Sequence, residues 1–342
     1  MKVRQFYVGL IAIVLVCAVF GTPVVWPQTQ YLVAPVDTDV EIDLWIQPHV
    51  VEIDRSIQSE DVLFVHLPGS FDIPTNSELI LQHAARRGFP AIGLRYPNNW
   101  TVNGLCRTSS DADCFENVRM EILDGVDRTD RVTISEANSI TNRLVKLLEY
   151  LDAEFPDDEW GRFLSVAGDV VWSKITVGGH SQGAGHAAMV GHVHRVNRVG
   201  MFAGVTDNSS YFGAPPAWLS DAGATPMDVH YGFGHSDDSL VPEDVLLEIW
   251  TAQGLADFGD PVIVDDSAPP YADSHMFFTN AEPADSGSYR FHNSVVIDRY
   301  TPKNNDGTAR FAEIWEFMCF PRDTSDNPGL RVRRPGRRMK PQ

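Results

Sequence analysis

Gly179-His180-Ser181-Gln182-Gly183 fits the pattern G-x-S-x-G, a serine set on a sharp turn between a strand and a helix. The flanks agree with that reading. Before it runs Ile175-Thr176-Val177-Gly178, a β-branched stretch suited to a buried strand. After it runs Ala184-Gly185-His186-Ala187-Ala188-Met189-Val190, small and compatible with a helix. A turn of this kind lifts the serine oxygen clear of the sheet, and small neighbours let helix and strand approach closely. Ser181 is therefore the candidate nucleophile.

Working outward, strands alternate with helices from residue 61 onward. Upstream, Asp61–Leu67 reads as an apolar strand ending in the turn Pro68-Gly69-Ser70-Phe71. Ser77–Arg87 has helical spacing, with Ser77 as the expected cap. Phe89–Tyr96 is a further strand, and Ser135–Phe155 an amphipathic helix carrying Ile140, Leu144, Leu147, Leu148 and Leu151. Downstream come strands at 198–205 and 227–233, a helix at 242–255, short strands at 261–264 and 275–278, and a helix at 307–318. This alternation predicts an α/β fold with a mainly parallel central sheet flanked by helices. The region 22–60 adds strands at 31–34, 40–46 and 50–53, expected as antiparallel pairs at one edge.

A serine needs a base within hydrogen-bond reach, and the base needs an orienting group. Gly234-His235-Ser236-Asp237-Asp238-Ser239-Leu240-Val241-Pro242 follows a strand, and a turn there brings a carboxylate to the carboxyl edge of the sheet. Phe291-His292-Asn293-Ser294 follows the last strand candidates. The order Ser181, Asp238, His292 is the Ser, Asp, His order that accompanies G-x-S-x-G on an α/β sheet.

From about residue 30 to 320 the chain resembles the α/β-hydrolase superfamily, in particular its esterases and lipases. The resemblance implies a serine hydrolase of carboxylic esters, with no cofactor and no metal. It selects Asp238 as the acid, followed by Ser239-Leu240 and then Val241-Pro242, with Asp237 second and Asp207 third. It selects His292 as the base, with His275 as the alternative. The oxyanion hole would use the N–H of Gln182 and one from the loop after Leu67. Pro68 has no N–H, so Ser70 is preferred and Gly69 second. The superfamily often has His-Gly there, and Pro68-Gly69 departs from it. His180 is expected to be a packing position. Amide, thioester and polyester bonds fit the same residues. A contrasting reading keeps the scaffold, loses catalysis, and leaves an exported binding protein.

Several other signals have simpler readings. Gly183-Ala184-Gly185 with Ala188 approximates a dinucleotide-binding fingerprint, but Val196–Ala203 lacks the acidic residue it requires. Its glycines are expected to serve helix–strand packing. His186, His192 and His194 sit on one helix without metal-ligand spacing.

The chain has 342 residues and a net charge of −19. Both ends are basic and carry no acid: Lys2 and Arg4 in the first 21 residues, and six Lys or Arg residues from Arg331 to Gln342. The body is thus strongly acidic, which argues against nucleic acid or an anionic membrane surface as partner. The expected partner is a small-molecule or lipid-like ester, and no stable protein partner is implied. Residues 1–21 read as a signal peptide or membrane anchor, 22–325 as the hydrolase domain, and 326–342 as a disordered basic tail. Export makes a Cys106–Cys114 bridge the expected state and leaves Cys319 a buried thiol. That bridge would pin the polar stretch 97–133, read as a lid-like insertion. Asn99-Trp100-Thr101 and Asn208-Ser209-Ser210 are sequons that matter only in a eukaryotic secretory pathway. The aromatics Trp100, Phe115, Tyr211, Phe212 and Trp218 lie in predicted loops near the catalytic edge and suggest an apolar or aromatic acyl group.

Overall fold

In a computed structural model of the protein, residues 28–321 are described. The segments read from sequence as a leader (1–21) and a basic tail (326–342) lie outside them. The chain opens with strand β1 (Gln28–Val33), the short helix α1 (Pro35–Thr38) and strand β2 (His49–Asp54). Strand β3 (Leu63–Leu67), helix α2 (Glu78–Arg86) and strand β4 (Ala91–Gly93) follow. Three helices come next: α3 (Val102–Cys106), α4 (Cys114–Asp124) and α5 (Ile140–Glu154). Then come strand β5 (Ile175–His180), helix α6 (Gln182–Val193) and strand β6 (Arg198–Phe202). The remainder is β7 (His230–His235), α7 (Glu243–Ala252), β8 (Val262–Ile263), β9 (Met276–Thr279), α8 (Arg290–Ser294) and α9 (Ala312–Cys319).

The strands form one nine-stranded sheet in the order β1-β2-β4-β3-β5-β6-β7-β9-β8. Both pairings of β2, with β1 and with β4, are antiparallel. Every pairing from β4 to β8 is parallel. The alternation of side chains along each strand divides the core in two. Leu63, Val65 and Leu67 face one layer, packed with residues of α4, α5, α6 and α7. Phe64 faces the other, packed with α2 and α9. Burial on both faces explains why β2, β3 and β5 are buried along their whole length.

The connection from β3 turns to one side of the sheet, to β4, whereas β5 lies on its other side. The order therefore reverses between β3 and β5, and the carboxyl ends of these strands flank a crevice where open α/β sheets bind ligands. The loops beginning at Pro68 and Ser181 both leave the sheet there.

Three local expectations differ from what the chain does. Residues 40–46 do not join the sheet. The N–H of Leu44 goes to Asn138 Oδ1 (3.1 Å), and Arg143 takes the carbonyls of Leu44 and Trp45, so side chains satisfy this backbone instead of a ladder. Ser77 stands at the N-cap of α2 without capping it. The Asp298 carboxylate accepts the N–H groups of Glu78 and Leu79, at 2.9 and 3.1 Å. The expected Cys106–Cys114 bridge is present, but the stretch it pins is more helical than its polar composition suggests. Phe115, Val118 and Ile122 of α4 are buried in the core. Cys319 is a buried free thiol, its pKa pushed up to about 12 by burial. No helix among the described residues is long and apolar enough to cross a membrane.

Candidate active site

Ser181 links the last residue of β5 to the first of α6 with φ 54° and ψ −116°. That is a left-handed backbone that costs a non-glycine residue roughly 1–3 kcal/mol. The surroundings enforce it. The N–H of Ser181 is held by the carbonyl of Phe202 (2.8 Å), and its carbonyl accepts the N–H of Ala184 (3.0 Å). Both glycines of the pattern are required by close approach. A Cβ on Gly179 would lie 2.2 Å from the carbonyl oxygen of Gly183, and one on Gly183 would lie 2.0 Å from that of Leu67. Other residues with positive φ gather in the neighbouring loops: Phe71 after β3, Ala203 after β6 and Tyr289 ahead of α8. Such strain concentrates at functional sites.

Asp238 stands in the turn after β7. One of its carboxylate oxygens accepts the N–H groups of Leu240 (2.8 Å) and Val241 (3.3 Å). The other meets Nδ1 of His292 at 2.6 Å. A carboxylate only accepts, so Nδ1 of His292 carries the proton and Nε2 presents a lone pair. That Nε2 is buried and has no hydrogen-bond partner among the described residues; Ser181 is not bonded to it. Apo geometries of this kind are often open and tighten with substrate. The ring of His180, next to Ser181 in the chain, lies 4.9 Å from that of His292.

The rival candidates are engaged elsewhere. Asp237 is exposed, with its N–H on Nδ1 of His235 (3.0 Å). Asp207 is fully buried in a bidentate pair with Arg119 of α4. His275 precedes β9, stacked on Phe258 (4.1 Å) with the tilted ring of Tyr231 at 4.3 Å. Burial lowers its pKa to about 4. His186 is buried against Tyr96, and His194 stacks on Trp172. Among the described residues no three or more His, Cys, Asp or Glu side chains cluster so as to hold a metal ion.

The loop after β3 is braced from several sides. Tyr96 donates to the carbonyl of Pro68 (2.8 Å), and Asn98 Nδ2 to that of Gly69 (2.6 Å). Ser70 Oγ donates to Oε1 of Gln182 (3.0 Å), which also accepts the N–H of Val102 (2.9 Å). Among the described residues, the N–H of Ser70 meets no main-chain carbonyl. Gln182 opens α6, where first-turn N–H groups lack intrahelical partners. Arg119 supports the same point from below, donating to the carbonyl of Gln182 (3.1 Å). A Cβ on Gly185 would lie 2.1 Å from its guanidinium. Gly185 thus makes room for an arginine from the insertion, not for a strand. Sequence gave no sign of Arg119, Tyr96 or Asn98 in these roles, because each acts across a long chain separation.

Of the aromatics expected at this edge, Tyr211 and Phe212 are exposed, whereas Phe115 and Trp218 are buried. Trp100 packs edge-on against Trp45. Phe71, Leu240 and Tyr289 are also exposed, beside Ser70, Asp238 and His292 in the chain. A cleft of about 200 Å³ lies between Asp111–Phe115 and Ser209–Ala217, and none of its lining residues is a catalytic candidate.

A mainly parallel sheet that turns through a strained serine into a helix, with an acid and a histidine downstream, has the α/β-hydrolase fold. No family model and no curated protein matches the chain. Among solved structures, it is similar to a candidate dienelactone hydrolase from Klebsiella pneumoniae subsp. pneumoniae MGH 78578. The identity is 10%, with 75% of this chain and 86% of that one covered and a TM-score of 0.38. It is also similar to TT1662 from Thermus thermophilus, at 14% identity, with 68% and 84% covered and a TM-score of 0.35.

Proposed function

We propose that the protein is an exported serine hydrolase that cleaves carboxylic esters through an acyl-enzyme. The observation that carries this reading is the buried Asp238–His292 pair, its Nε2 unpartnered among the described residues, with the His292 carbonyl 3.2 Å from the ring of His180, the residue before the strained Ser181. Ser181 Oγ attacks the ester carbonyl carbon while its proton passes to Nε2 of His292. Asp238 keeps the imidazole in the tautomer that can accept and stabilises the imidazolium. The N–H groups of Gln182 and Ser70 hold the oxyanion, in a loop already fixed by Tyr96 and Asn98. Collapse expels the alcohol, which takes the proton from His292. Water, activated by the same nitrogen, then releases the acid and restores Ser181. No cofactor takes part in this scheme.

Export is supported by the leader-like segment 1–21 and by the Cys106–Cys114 disulfide. The exposed Phe71, Leu240 and Tyr289 beside the catalytic candidates favour a neutral, apolar ester, and the acidic body disfavours an anionic one. Hydrolysis of p-nitrophenyl esters of increasing acyl length tests the proposal. Activity should be measurable in the wild type and lost in Ser181→Ala. Equal activity in the two would refute it.

A further inference from the structure

We propose that His180 is a positioning residue: its Nε2–H ties the main chain of His292 to the elbow, holding the base in register with Ser181. The proposal rests on the reading of Ser181 and His292 as nucleophile and base.

Nε2 of His180 lies 3.2 Å from the carbonyl oxygen of His292. A carbonyl can only accept, so this nitrogen carries the proton and Nδ1 is bare. The side chain is buried, and burial, then the nearby His292, push its pKa well below that of a free imidazole. A neutral ring with one fixed tautomer is the result. His66 acts in the same direction.

The opposite edge of the ring meets the loop after β3. A Cβ on Gly69 would fall 3.0 Å from His180 Nδ1 and 3.3 Å from Ser181 Cβ. One imidazole therefore touches all three parts of the site: it precedes the nucleophile, abuts the oxyanion loop and holds the base. The base needs such a tie. Residues 286–289, ahead of α8, are exposed, and α8 spans only Arg290–Ser294. Asp238 fixes the ring of His292 at one atom, Nδ1. Trp315 Nε1, on the carbonyl of Val295 at 2.9 Å, anchors the chain only beyond it. Rotation of the imidazole about the Asp238 bond is limited once its main chain is held too.

Two variants separate the hydrogen bond from packing. Gln places an amide nitrogen near the position of Nε2, whereas Phe keeps a ring and removes the donor. His180→Phe should lower kcat about 10- to 100-fold with KM nearly unchanged, and slow fluorophosphonate labelling of Ser181 by the same factor. His180→Gln should stay within about threefold of the wild type. Equal rates in the Phe variant and the wild type, or equal losses in both variants, would overturn the proposal. NMR of the wild-type protein reads the tie without a substitution. It should show a neutral Nε2–H tautomer with a slowly exchanging proton; an Nδ1–H tautomer would overturn it. A wild-type chain that takes no label brings down the enzymatic reading as a whole. A labelled wild type matched by an equally fast His180→Phe brings down the His180 tie alone.

Discussion

Nδ1 of His292 lies 2.6 Å from Oδ2 of Asp238, and both side chains are almost wholly buried. The other Asp238 oxygen is occupied by two backbone N–H groups, so the carboxylate is fixed in place and aimed at one atom. Asp238→Asn would present an amide where the imidazole needs an acceptor, favouring the wrong tautomer. Steady-state kinetics should show kcat lowered by about 1,000- to 10,000-fold with the fold intact. Asp237→Asn, on an exposed side chain, should leave kcat near the wild-type value.

Ser181 carries a stability cost in its backbone, with φ 54° and ψ −116°. Glycine tolerates that conformation and alanine does not. Ser181→Gly should therefore be more stable than Ser181→Ala by about 1 kcal/mol, after allowing for the greater chain entropy of glycine. Urea midpoints of the two variants measure the difference. Equal midpoints would mean that the turn is unstrained.

Arg119 and Asp207 form a buried pair beneath the elbow. Removing one partner leaves the other charge buried alone. Arg119→Met should cost about 3–5 kcal/mol in denaturant unfolding. Arg119→Met with Asp207→Leu should recover much of that loss. Activity should not return fully, because the support to the Gln182 carbonyl goes with the guanidinium.

Glu52 on β2 is buried, and burial raises its pKa to about 7 despite a hydrogen bond from Gln30 (2.8 Å). The folded value lies above the unfolded one, so the unfolded chain gives up this proton first as pH rises. The stability tied to the neutral carboxyl is complete below about pH 4 and is lost as pH rises toward 7. Glu52→Gln should remove on the order of 2–3 kcal/mol of that decline, read as a flatter stability profile between pH 4.5 and 7.5. An unchanged profile would mean that Glu52 titrates normally.

Much of this site was legible because its signals are local. G-x-S-x-G fixes a turn through two glycines whose missing side chains are required at 2.0–2.2 Å. Asp238 was selected by the residues that follow it, and its own carboxylate bonds to Leu240 and Val241. Local pattern failed where distant side chains act. Residues 40–46 alternate like a strand, yet Asn138 and Arg143 take up their backbone groups. The braces on the Pro68–Ser70 loop come from Tyr96, Asn98 and Gln182. Arg119 lies in a polar stretch and was invisible as support for the elbow. His180 read as packing because only the fold brings the His292 carbonyl to its ring.

The proposed chemistry turns on Ser181 as the nucleophile, activated by His292. Incubation of the folded protein with a fluorophosphonate, followed by peptide mass spectrometry, tests it most directly. A single adduct on Ser181, abolished by heat denaturation and strongly slowed in His292→Ala, is the predicted result. No adduct on Ser181, or labelling at the same rate without His292, would contradict it.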